Sequence, residues 1–570
     1  MTDSTDSTPA GAAGAARLRT GGEILVEQLR IHGADLIFGV PGESFLAALD
    51  ALADSPLRFV VTRMEAGAAN AAEAYGKLTG RPGICFVTRG PGATHASVGV
   101  HVAFQDSTPM ILLVGQIQRG DRGREAFQEM DYEAFFGSTA KWVVEVDDAR
   151  RLPEIMARAF RVATSGRPGP VVVSLPEDML AERAEAVDAR PYVATRPAPR
   201  GEQVAAALAL LEEAERPLLV VGGGGWSAQA AADAAAFAEA YGIPVVTSFR
   251  RQDYVSSLSP SYAGYIGIGM SPQNAQRAKD ADVILAVGAR LGDATTAGYT
   301  LLQPGAPRQR LVHVHPDPDE LGRVFTPAVG IAAGPAEFLA AARGLAPIGP
   351  VRWADWTERA RREYLASLEP RPRPQLTLDM AHVMAVLREQ LPADTILTNG
   401  AGNFSVWGHR NWSFPVYPAQ LAPTNGSMGY GFPAALAAKL LHRDRTVVCL
   451  AGDGDFLMTG QELATAAAEN LAILTLVVNN GMLGTIRMHQ EREYPGRVYG
   501  TKLHNPDFAA LARAYGAHGE AVERNDQVAV AIARALAYNG PSLVELRVDP
   551  EAITPVKTIT EIRDEARQAG

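Results

Sequence analysis

Short apolar runs alternate along the chain with longer segments whose apolar residues recur every three to four positions, a pattern typical of strands alternating with helices. In the first third, the runs predicted as strands are Leu36–Phe38, Phe59–Thr62, Ile84–Thr88, Met110–Val114 and Val171–Ser174. Strands connected through helices form parallel sheets that are covered on both faces. This part of the chain therefore predicts an α/β domain.

The same alternation returns twice. In the middle of the chain the predicted strands are Leu218–Val221, Val245–Thr247, Val283–Val287 and Leu311–Val314, and in the last third they include Thr446–Leu450 and Ile473–Val478. We therefore expect three α/β domains with doubly wound parallel sheets, at residues 18–188, 202–345 and 375–570. Proline-rich or charged linkers at 189–201 and 346–374 separate them, and the Ser-, Gly- and Ala-rich residues 1–17 predict a disordered tail.

Composition narrows the class of protein. A chain of 570 residues with a net charge of −10 and a pI near 5.7 is too long for one ordinary core and is not expected to bind nucleic acid. No apolar run reaches the roughly 18 residues of a membrane span, and the tail lacks a signal peptide's basic and apolar regions. Cys85 and Cys449 lie in strand-like runs and are expected to be reduced core residues. These features predict a cytoplasmic protein.

A strand–helix–strand unit in the last domain carries candidate chemistry. Gly452-Asp453-Gly454 follows its first strand, a helix is predicted from about Thr459 to Glu469, and the second strand ends on Asn480. Glycines let a backbone turn tightly around a ligand, and helix N-termini favour anions. Since both strands end at one edge of a parallel sheet, Asp453 and Asn480 are expected to meet there as oxygen ligands for Mg²⁺.

This GDG…NN pattern resembles the diphosphate and Mg²⁺ motif of thiamine diphosphate (ThDP) enzymes, the superfamily of acetolactate synthase, oxalyl-CoA decarboxylase and 2-hydroxyacyl-CoA lyase. The resemblance covers nearly the whole chain, and it implies pyrimidine-binding, middle nucleotide-binding-like and diphosphate-binding domains in that order. The implied metal ligands are Asp453, Asn480 and Met482. The implied cofactor-binding residues are Gly402, Asn403, Phe404, Gly426, Met428, Gly452, Gly454 and Asp455.

The resemblance also assigns roles to three side chains. Glu65 would exchange a proton with N1′ of the cofactor's pyrimidine, the Met428 side chain would wedge between its two rings, and Gln128 would face the substrate. Without the resemblance, Glu65 reads as a helix-start residue and Met428 as core filling. Because Glu65 and Met428 occur in the same chain as GDG…NN, we favour the functional interpretation of both residues.

In the middle domain, a turn of four glycines that includes Gly224 follows the first strand, and Arg290 and Asp317 stand at strand ends. The resemblance implies that such a domain holds FAD, ADP or nothing, and as a further cofactor of the protein we expect ADP or CoA in preference to FAD. A simple tight turn is the alternative. His313 and His315 alternate along one strand and are expected to be packing residues.

Substrate choice is expected where the chain departs from its relatives. Acetolactate synthases carry Gln-Trp-Gln where this chain has Met488-His489-Gln490, and Asn70 resembles oxalyl-CoA decarboxylase. Glu493 follows on a loop that is expected to fold over the cofactor, where it would act as a general base. The leading hypothesis is a 2-hydroxyacyl-CoA lyase of actinobacterial type, which cleaves the C1–C2 bond of a substrate such as 2-hydroxyisobutyryl-CoA to formyl-CoA and a ketone or aldehyde.

Two alternatives stay open: an acetolactate synthase-like carboligase that acts on pyruvate, and a non-catalytic nucleotide-binding module. The resemblance further implies a homodimer or homotetramer with cofactor sites at the subunit interface. For an acyl-CoA substrate, the C-terminal segment is a candidate lid. The candidate partners of the CoA phosphates are Arg250, Arg251, Arg277, Lys557, Arg563 and Arg567.

Overall fold

The structure, a computed structural model, describes residues 17–343, 351–369, 371–373 and 375–569. It contains three six-stranded sheets in which every neighbouring pair of strands is parallel. Helices cover the sheets, as expected for strands joined by crossovers. The predicted architecture of three parallel-sheet α/β domains is confirmed.

The first domain contains a sheet in the order β3-β2-β4-β5-β7-β6, and a separate antiparallel pair of β1 with β8. Its strands are β1 (Arg17–Thr20), β2 (Leu36–Gly39), β3 (Arg58–Val61), β4 (Gly83–Val87), β5 (Met110–Gln116), β6 (Trp142–Glu145), β7 (Pro170–Pro176) and β8 (Arg183–Ala186). Its helices are α1 (Gly21–Ile31), α2 (Leu46–Ala53), α3 (Glu65–Thr79), α4 (Pro91–Asp106), α5 (Tyr132–Phe136), α6 (Leu152–Thr164) and α7 (Glu177–Ala181). Arg17, expected in the tail, is thus the first residue of β1; the rest of that tail lies outside the described residues.

The middle domain has the strand order β11-β10-β9-β12-β13-β14. Its strands are β9 (Pro217–Val221), β10 (Val245–Thr247), β11 (Tyr262–Tyr265), β12 (Val283–Val287), β13 (Arg310–His315) and β14 (Val329–Ala332). Its helices are α8 (Gly201–Glu212), α9 (Ala228–Ala240), α10 (Pro272–Asp280) and α11 (Pro335–Arg343). Part of the second predicted linker forms α12 (Ala354–Leu368), which packs on β11; residues 344–350, 370 and 374 of this region lie outside the described residues.

The last domain has the strand order β16-β15-β17-β18-β20-β19. Its strands are β15 (Ile396–Asn399), β16 (Gln420–Leu421), β17 (Val447–Gly452), β18 (Ile473–Asn479), β19 (His518–Val522) and β20 (Ser542–Arg547). Its helices are α13 (Met380–Gln390), α14 (Ser405–Asn411), α15 (Gly431–Leu441), α16 (Asp453–Phe456), α17 (Leu463–Ala468), α18 (Gly484–Glu493), α19 (Phe508–Ala514), α20 (Asn525–Ala537) and α21 (Ile559–Ala569).

One predicted helix differs from the structure. A helix was expected from about Thr459 to Glu469, but α17 is shorter and follows a turn of 3-10 helix, Gly460–Glu462. Thr459 has φ −141° and ψ 15°, which is outside the helical region, and its hydroxyl donates to the Gly429 carbonyl at 2.6 Å. This hydrogen bond holds the chain in a turn there, and the short helix α16 instead begins directly at Asp453.

A buried carboxylate joins the three domains. Asp106, at the end of α4, is bonded to Lys77 of α3 at 2.5 Å, lies 3.5 Å from Arg251 of the middle domain, and accepts hydrogen bonds from Thr424 of the last domain. Burial by itself raises the pKa of Asp106, but Lys77 and Arg251 outweigh it and hold that pKa below its ordinary value. Asp106 is therefore expected to be ionised, with its charge matched by one cation from its own domain and one from another.

Asp106→Asn is expected to destabilise the protein by about 3–5 kcal/mol, because it removes the ion-pair partner of the buried Arg251 and leaves Lys77 with Glu73 alone. The measurement is the midpoint of thermal unfolding followed by circular dichroism, compared as midpoints since a multidomain chain need not unfold in two states. Glu358→Gln is the matched control: its pair with Arg362 is mostly exposed, and we expect an unchanged midpoint. Equal midpoints for both variants would contradict the role given to Asp106.

Candidate active site

The predicted cofactor-binding and metal-binding residues surround one cavity of about 240 Å³ at the carboxyl edge of the last sheet. All of them line it: Gly402, Asn403, Phe404, Gly426, Met428, Gly452, Asp453, Gly454, Asp455, Asn480 and Met482. The register explains the meeting of the two motifs, because Gly452 at the end of β17 pairs with Val478 near the end of β18. The site is therefore built from loops that leave neighbouring parallel strands.

Asp453 is one of two buried carboxylates that line this cavity, the other being Asp455. Its Oδ1 accepts the Gly454 N–H at 2.9 Å, while its Oδ2 accepts the Gly481 N–H at 2.9 Å and the Asn505 side-chain N–H at 2.7 Å. Burial raises the pKa of Asp453 above its ordinary value, and these hydrogen bonds oppose the rise. A cation bound here would further favour the ionised form.

The turn after β18 holds the second oxygen donor. Gly481 has a left-handed φ of 67°, which a glycine adopts without strain, and this brings Met482 back toward Asn480. The Met482 N–H donates to Asn480 Oδ1 at 3.2 Å. The Asn480 side chain is thereby oriented in the cavity that Asp453 also lines.

Asp455 ties two of the loops together. Its Oδ1 accepts the Ala401 N–H at 3.0 Å and the Gly429 N–H at 2.9 Å. Burial raises the pKa of Asp455 to about 7. A Cβ on Gly400 would lie 2.0 Å from the same oxygen, so the carboxylate reaches this loop only because residue 400 is a glycine.

Glycines also set the shape of the cavity wall. A Cβ on Gly402 or Gly452 would lie 2.6 or 2.7 Å from the Phe404 ring, and one on Gly454 would lie 2.9 Å from Leu483 and 3.7 Å from the Met428 side chain. These positions therefore admit only glycine, so main chain forms this part of the wall, which suits a phosphate; the Gly454 N–H already donates to Asp453 Oδ1. The Met428 side chain thus lies beside the Gly454 turn, and its role as a wedge stays a prediction.

Helix α18 closes the cavity at the other side. Its first residues line the cavity, and an N-terminus presents unpaired N–H groups. Thr485 holds Asn403 by two hydrogen bonds, accepting its backbone N–H at 3.0 Å and donating to its Oδ1 at 2.9 Å. Sequence reasoning missed Thr485 and Asn505, since neither lies in a recognisable motif.

Glu65 lies elsewhere in the chain, at the start of α3, and the described residues that line the Asp453 cavity do not include it. Its Oε2 is 3.0 Å from His95 Nδ1. Gln128 lies nearby: a Cβ on Gly90 would be 2.9 Å from the Gln128 Cβ, and one on Gly92 would be 3.4 Å from Glu65 Oε1. The first domain thus forms a half-site of Glu65, the Gly90–Gly92 loop and Gln128.

A carboxylate of the last domain holds the backbone that precedes Glu65. Glu462 is fully buried and accepts the N–H groups of Arg63 at 3.0 Å and Met64 at 3.1 Å. Burial raises the pKa of Glu462, and hydrogen bonds from Thr465 and the two backbone groups oppose that rise. The sequence gives no local signal for this contact because nearly four hundred positions separate the partners.

The residues present fit ThDP and Mg²⁺. Hard oxygen donors converge in the cavity, main chain at glycines forms part of its wall, and a methionine lies beside the GDG turn. Among the described residues there is no cluster of three or more His, Cys, Asp or Glu side chains around a possible metal. Mg²⁺ shared with a diphosphate needs only one or two carboxylates, since the phosphates supply further oxygens, and Asp453 and Asp455 both line this cavity.

The predicted base Glu493 is the last residue of α18 and is exposed to solvent. Its neighbour Glu491 is instead buried and bonded to Arg563 of α21 at 2.8 and 2.9 Å and to Arg487. The hydrogen bond from Arg563 is the main cause that lowers the pKa of Glu491 to about 2. Around this pair, Met488 of α18 packs with Ile553, Ile559 and Ile562 of the C-terminal segment.

The C-terminal segment therefore lies against the cofactor cavity, whose wall includes Ala552 and Ile553. The cations predicted to meet CoA phosphates already have partners in the chain: Arg563 pairs with Glu491, Lys557 with Glu565, Arg277 with Glu363 and Arg251 with Asp106. Arg250 donates to the Pro423 carbonyl at 2.5 Å. Arg567 lies near Gly496.

The predicted middle-domain residues are dispersed. Gly224 lies against the Ser107 carbonyl in a cavity between the first two domains. Arg290 is 3.3 Å from Glu320 and lines a cavity of about 650 Å³ that also borders Gly402 and Gly426 of the last domain. Asp317 Oδ1 accepts the Asp319 N–H and so caps a turn. The His313 Nε2–H donates to the Ala289 carbonyl, 2.8 Å away, and burial lowers the pKa of His313, as expected for a packing histidine.

Comparison with known proteins identifies the class. The description thiamine pyrophosphate enzyme fits three parts of the chain: the N-terminal TPP binding domain at residues 19–135, the central domain at 204–342 and the C-terminal TPP binding domain at 400–546. The chain belongs to this family of thiamine diphosphate enzymes, whose cofactor is also called thiamine pyrophosphate. In the part of the chain that the structure describes, no helix is both long and apolar enough to cross a membrane.

Similar proteins are acetolactate synthase subunits. The acetolactate synthase large subunit of Parasynechococcus marenigrum is 35% identical, over 96% of this chain and 91% of its own length. Acetolactate synthase isozyme 2 large subunit of Escherichia coli is 32% identical, over 93% and 95% of the two chains. The large subunit of Corynebacterium glutamicum is 34% identical, over 95% and 89%. These relatives do not support the prediction that the chain is most similar to 2-hydroxyacyl-CoA lyases.

Glu491→Gln is expected to loosen α21, because the amide cannot replace the charge-assisted bonds to Arg563. Since the folded pKa of Glu491 is about 2 and its ordinary value is 4.5, the ion pair stabilises the helix above about pH 4.5 and is lost as the pH falls toward 2. Hydrogen exchange of residues 559–569 at neutral pH measures the loosening. Asp564→Asn, on an exposed position of the same helix, is the control; identical exchange in both variants would contradict the proposed role of the Glu491–Arg563 ion pair.

Proposed function

We propose that this chain is a ThDP- and Mg²⁺-dependent decarboxylase and carboligase of 2-oxoacids, acting on pyruvate in the manner of an acetolactate synthase. The observation that carries this proposal is the similarity to acetolactate synthase large subunits along more than nine-tenths of the chain. The cavity at Asp453 supports it, because the motif residues implied for the cofactor line one wall. This reverses the preference for a lyase drawn from the sequence.

The side chains would divide the work as follows. Bound ThDP supplies a nucleophilic carbon that adds to a substrate carbonyl. Asp453 and Asn480 would hold Mg²⁺ through oxygen atoms, and the N–H groups of the Gly452–Gly454 turn and of the start of α18 would bind the diphosphate. Glu65 would hold and move the proton at N1′ of the pyrimidine, and Gln128 would orient the substrate.

A second copy of the chain would complete the site. Glu65 and Asp453 do not line a common cavity among the described residues of one chain, although both are needed for one cofactor. The half-site of the first domain is also exposed, with Phe127 beside Gln128 showing 73% of its surface. We therefore propose a homodimer, or a tetramer built from it, with cofactor sites between subunits.

A 2-hydroxyacyl-CoA lyase is the second candidate. It is favoured by Met488-His489-Gln490, which departs from the acetolactate synthase pattern. Helix α18 places Met488 in the apolar cluster under α21 and leaves His489 exposed. Support for the base role of Glu493 is weak, because its side chain is exposed in the single chain and Glu491 occupies the buried position.

Purified protein with ThDP and Mg²⁺ is expected to convert pyruvate to acetolactate and to give no formyl-CoA from 2-hydroxyisobutyryl-CoA, both followed by chromatography. Glu65→Gln should slow the reaction by at least about 100-fold, the usual contribution of a proton-transfer residue. Glu493→Gln should leave it unchanged. Formyl-CoA without acetolactate, lost in Glu493→Gln, would establish the lyase. No product in either arm together with no ThDP binding would favour the non-catalytic module.

Asp453→Asn is expected to weaken Mg²⁺-dependent ThDP binding by about 100-fold or more, since removing one partner of a buried, charge-assisted contact costs several kcal/mol. The amide preserves the shape of the side chain, so titration calorimetry reports the loss of charge. Asp444→Asn, an exposed aspartate before β17, removes the same charge without touching the cavity and should bind normally. Normal binding by Asp453→Asn would refute the metal assignment.

A further inference from the structure

The carboxylate of Glu65 has one side-chain hydrogen-bond partner among the described residues, and that partner is His95. His95 Nδ1 lies 3.0 Å from Glu65 Oε2. The Glu65 side chain is 12% exposed and that of His95 is 51% exposed, so the pair is at the open face of the half-site. Sequence reasoning assigned no role to His95.

Local structure brings the two residues together. Gly90 has a left-handed φ of 56°, which turns the chain from β4 into α4, and α4 begins at Pro91. His95 lies one turn into α4, on the side that faces the start of α3. Gly92 leaves the intervening space open, because a Cβ there would be 3.4 Å from Glu65 Oε1.

The backbone that carries Glu65 is fixed independently. The buried Glu462 accepts the N–H groups of the two residues immediately before it. The carboxyl group of Glu65 is therefore anchored at its main chain, and its remaining freedom is rotation of the side chain. His95 restrains that rotation by holding Oε2.

We propose that His95 is a positioning residue for Glu65, donating its Nδ1–H to Oε2 so that Oε1 is presented to N1′ of the cofactor's pyrimidine. When Oε1 gives its proton to N1′, the carboxylate that forms is stabilised by the charge-assisted bond from His95. The proton returns to Oε1 by the reverse transfer, and His95 keeps its own proton throughout. The inference rests on the role proposed for Glu65 and is independent of the substrate.

The pair His95→Asn and His95→Leu tests this role, because the two side chains have nearly the same shape and only Asn carries an N–H near the position of Nδ1. The readout is the exchange of the C2 proton of bound ThDP for deuterium, measured by NMR after acid quenching in the presence of Mg²⁺ and without substrate. Because His95→Leu removes a hydrogen bond to a charged group, we expect this variant to exchange the C2 proton about 10- to 100-fold more slowly. His95→Asn should stay within about threefold of the natural protein.

A double-variant cycle separates positioning from a general structural effect. In a Glu65→Gln background, His95→Leu should cause no further loss, since the group on which His95 acts is gone. ThDP affinity by calorimetry should be unchanged by His95→Leu, and His382→Leu, at an exposed histidine of α13, should behave as the natural protein.

Two results would overturn the inference: undiminished exchange in His95→Leu, or an equal further loss in the Glu65→Gln background. If His95→Leu fails to fold, exchange by His95→Asn as slow as that of Glu65→Gln would also overturn it, because Asn preserves the donor. Unchanged exchange in Glu65→Gln alone would refute the role proposed for Glu65 and the inference with it. Because the exchange needs no substrate, this test is independent of the assays that decide which substrate the protein uses.

Discussion

The burial of one carboxylate, Asp106, constrains the arrangement of all three domains. An isolated buried charge is prohibitively unfavourable, so Lys77 of the first domain and Arg251 of the middle domain must stay beside it. The Thr424 backbone N–H of the last domain completes its bonding at 2.8 Å. Because Gly426 and Met428 follow Thr424 closely, the same contact fixes where one cofactor loop starts. The geometry of the cofactor cavity thus depends on an ion cluster that does not line it.

A second buried carboxylate, that of Asp455, holds separate segments of the last domain together. The Asp455 carboxylate accepts hydrogen bonds from the backbone N–H groups of Ala401 and Gly429. These bonds hold two loops, which follow different strands, at a fixed distance from the Gly452–Gly454 turn. A Cβ would clash at Gly400, Gly429 or Gly452, so these loops approach one another through their main chain. In the proposed site, binding of a diphosphate by such rigid backbone N–H groups would lose little entropy.

The two halves of the proposed site are linked within each chain. Glu462 follows the Gly452–Gly454 turn by a few residues and holds the backbone before Glu65, while the cavity at Asp453 is lined by other residues. In the proposed dimer, each chain would therefore support the Glu65 that serves one cofactor and the Asp453 that serves another. The geometry of these contacts decides how accurately the two halves of the proposed site align, and it matters more than the identity of the motif residues.

The sequence by itself determined the three parallel-sheet domains and the meeting of GDG with NN, because hydrophobic periodicity and strand polarity are local properties that fix both. It did not determine the start of α17, the exposure of Glu493 or the paired state of Arg563, since each depends on contacts with distant segments. Only the tertiary structure brought His95 to Glu65, Glu462 to Met64 and Glu491 to Arg563. Contacts between residues far apart in the chain leave no periodic trace in the sequence, so packing alone decides them.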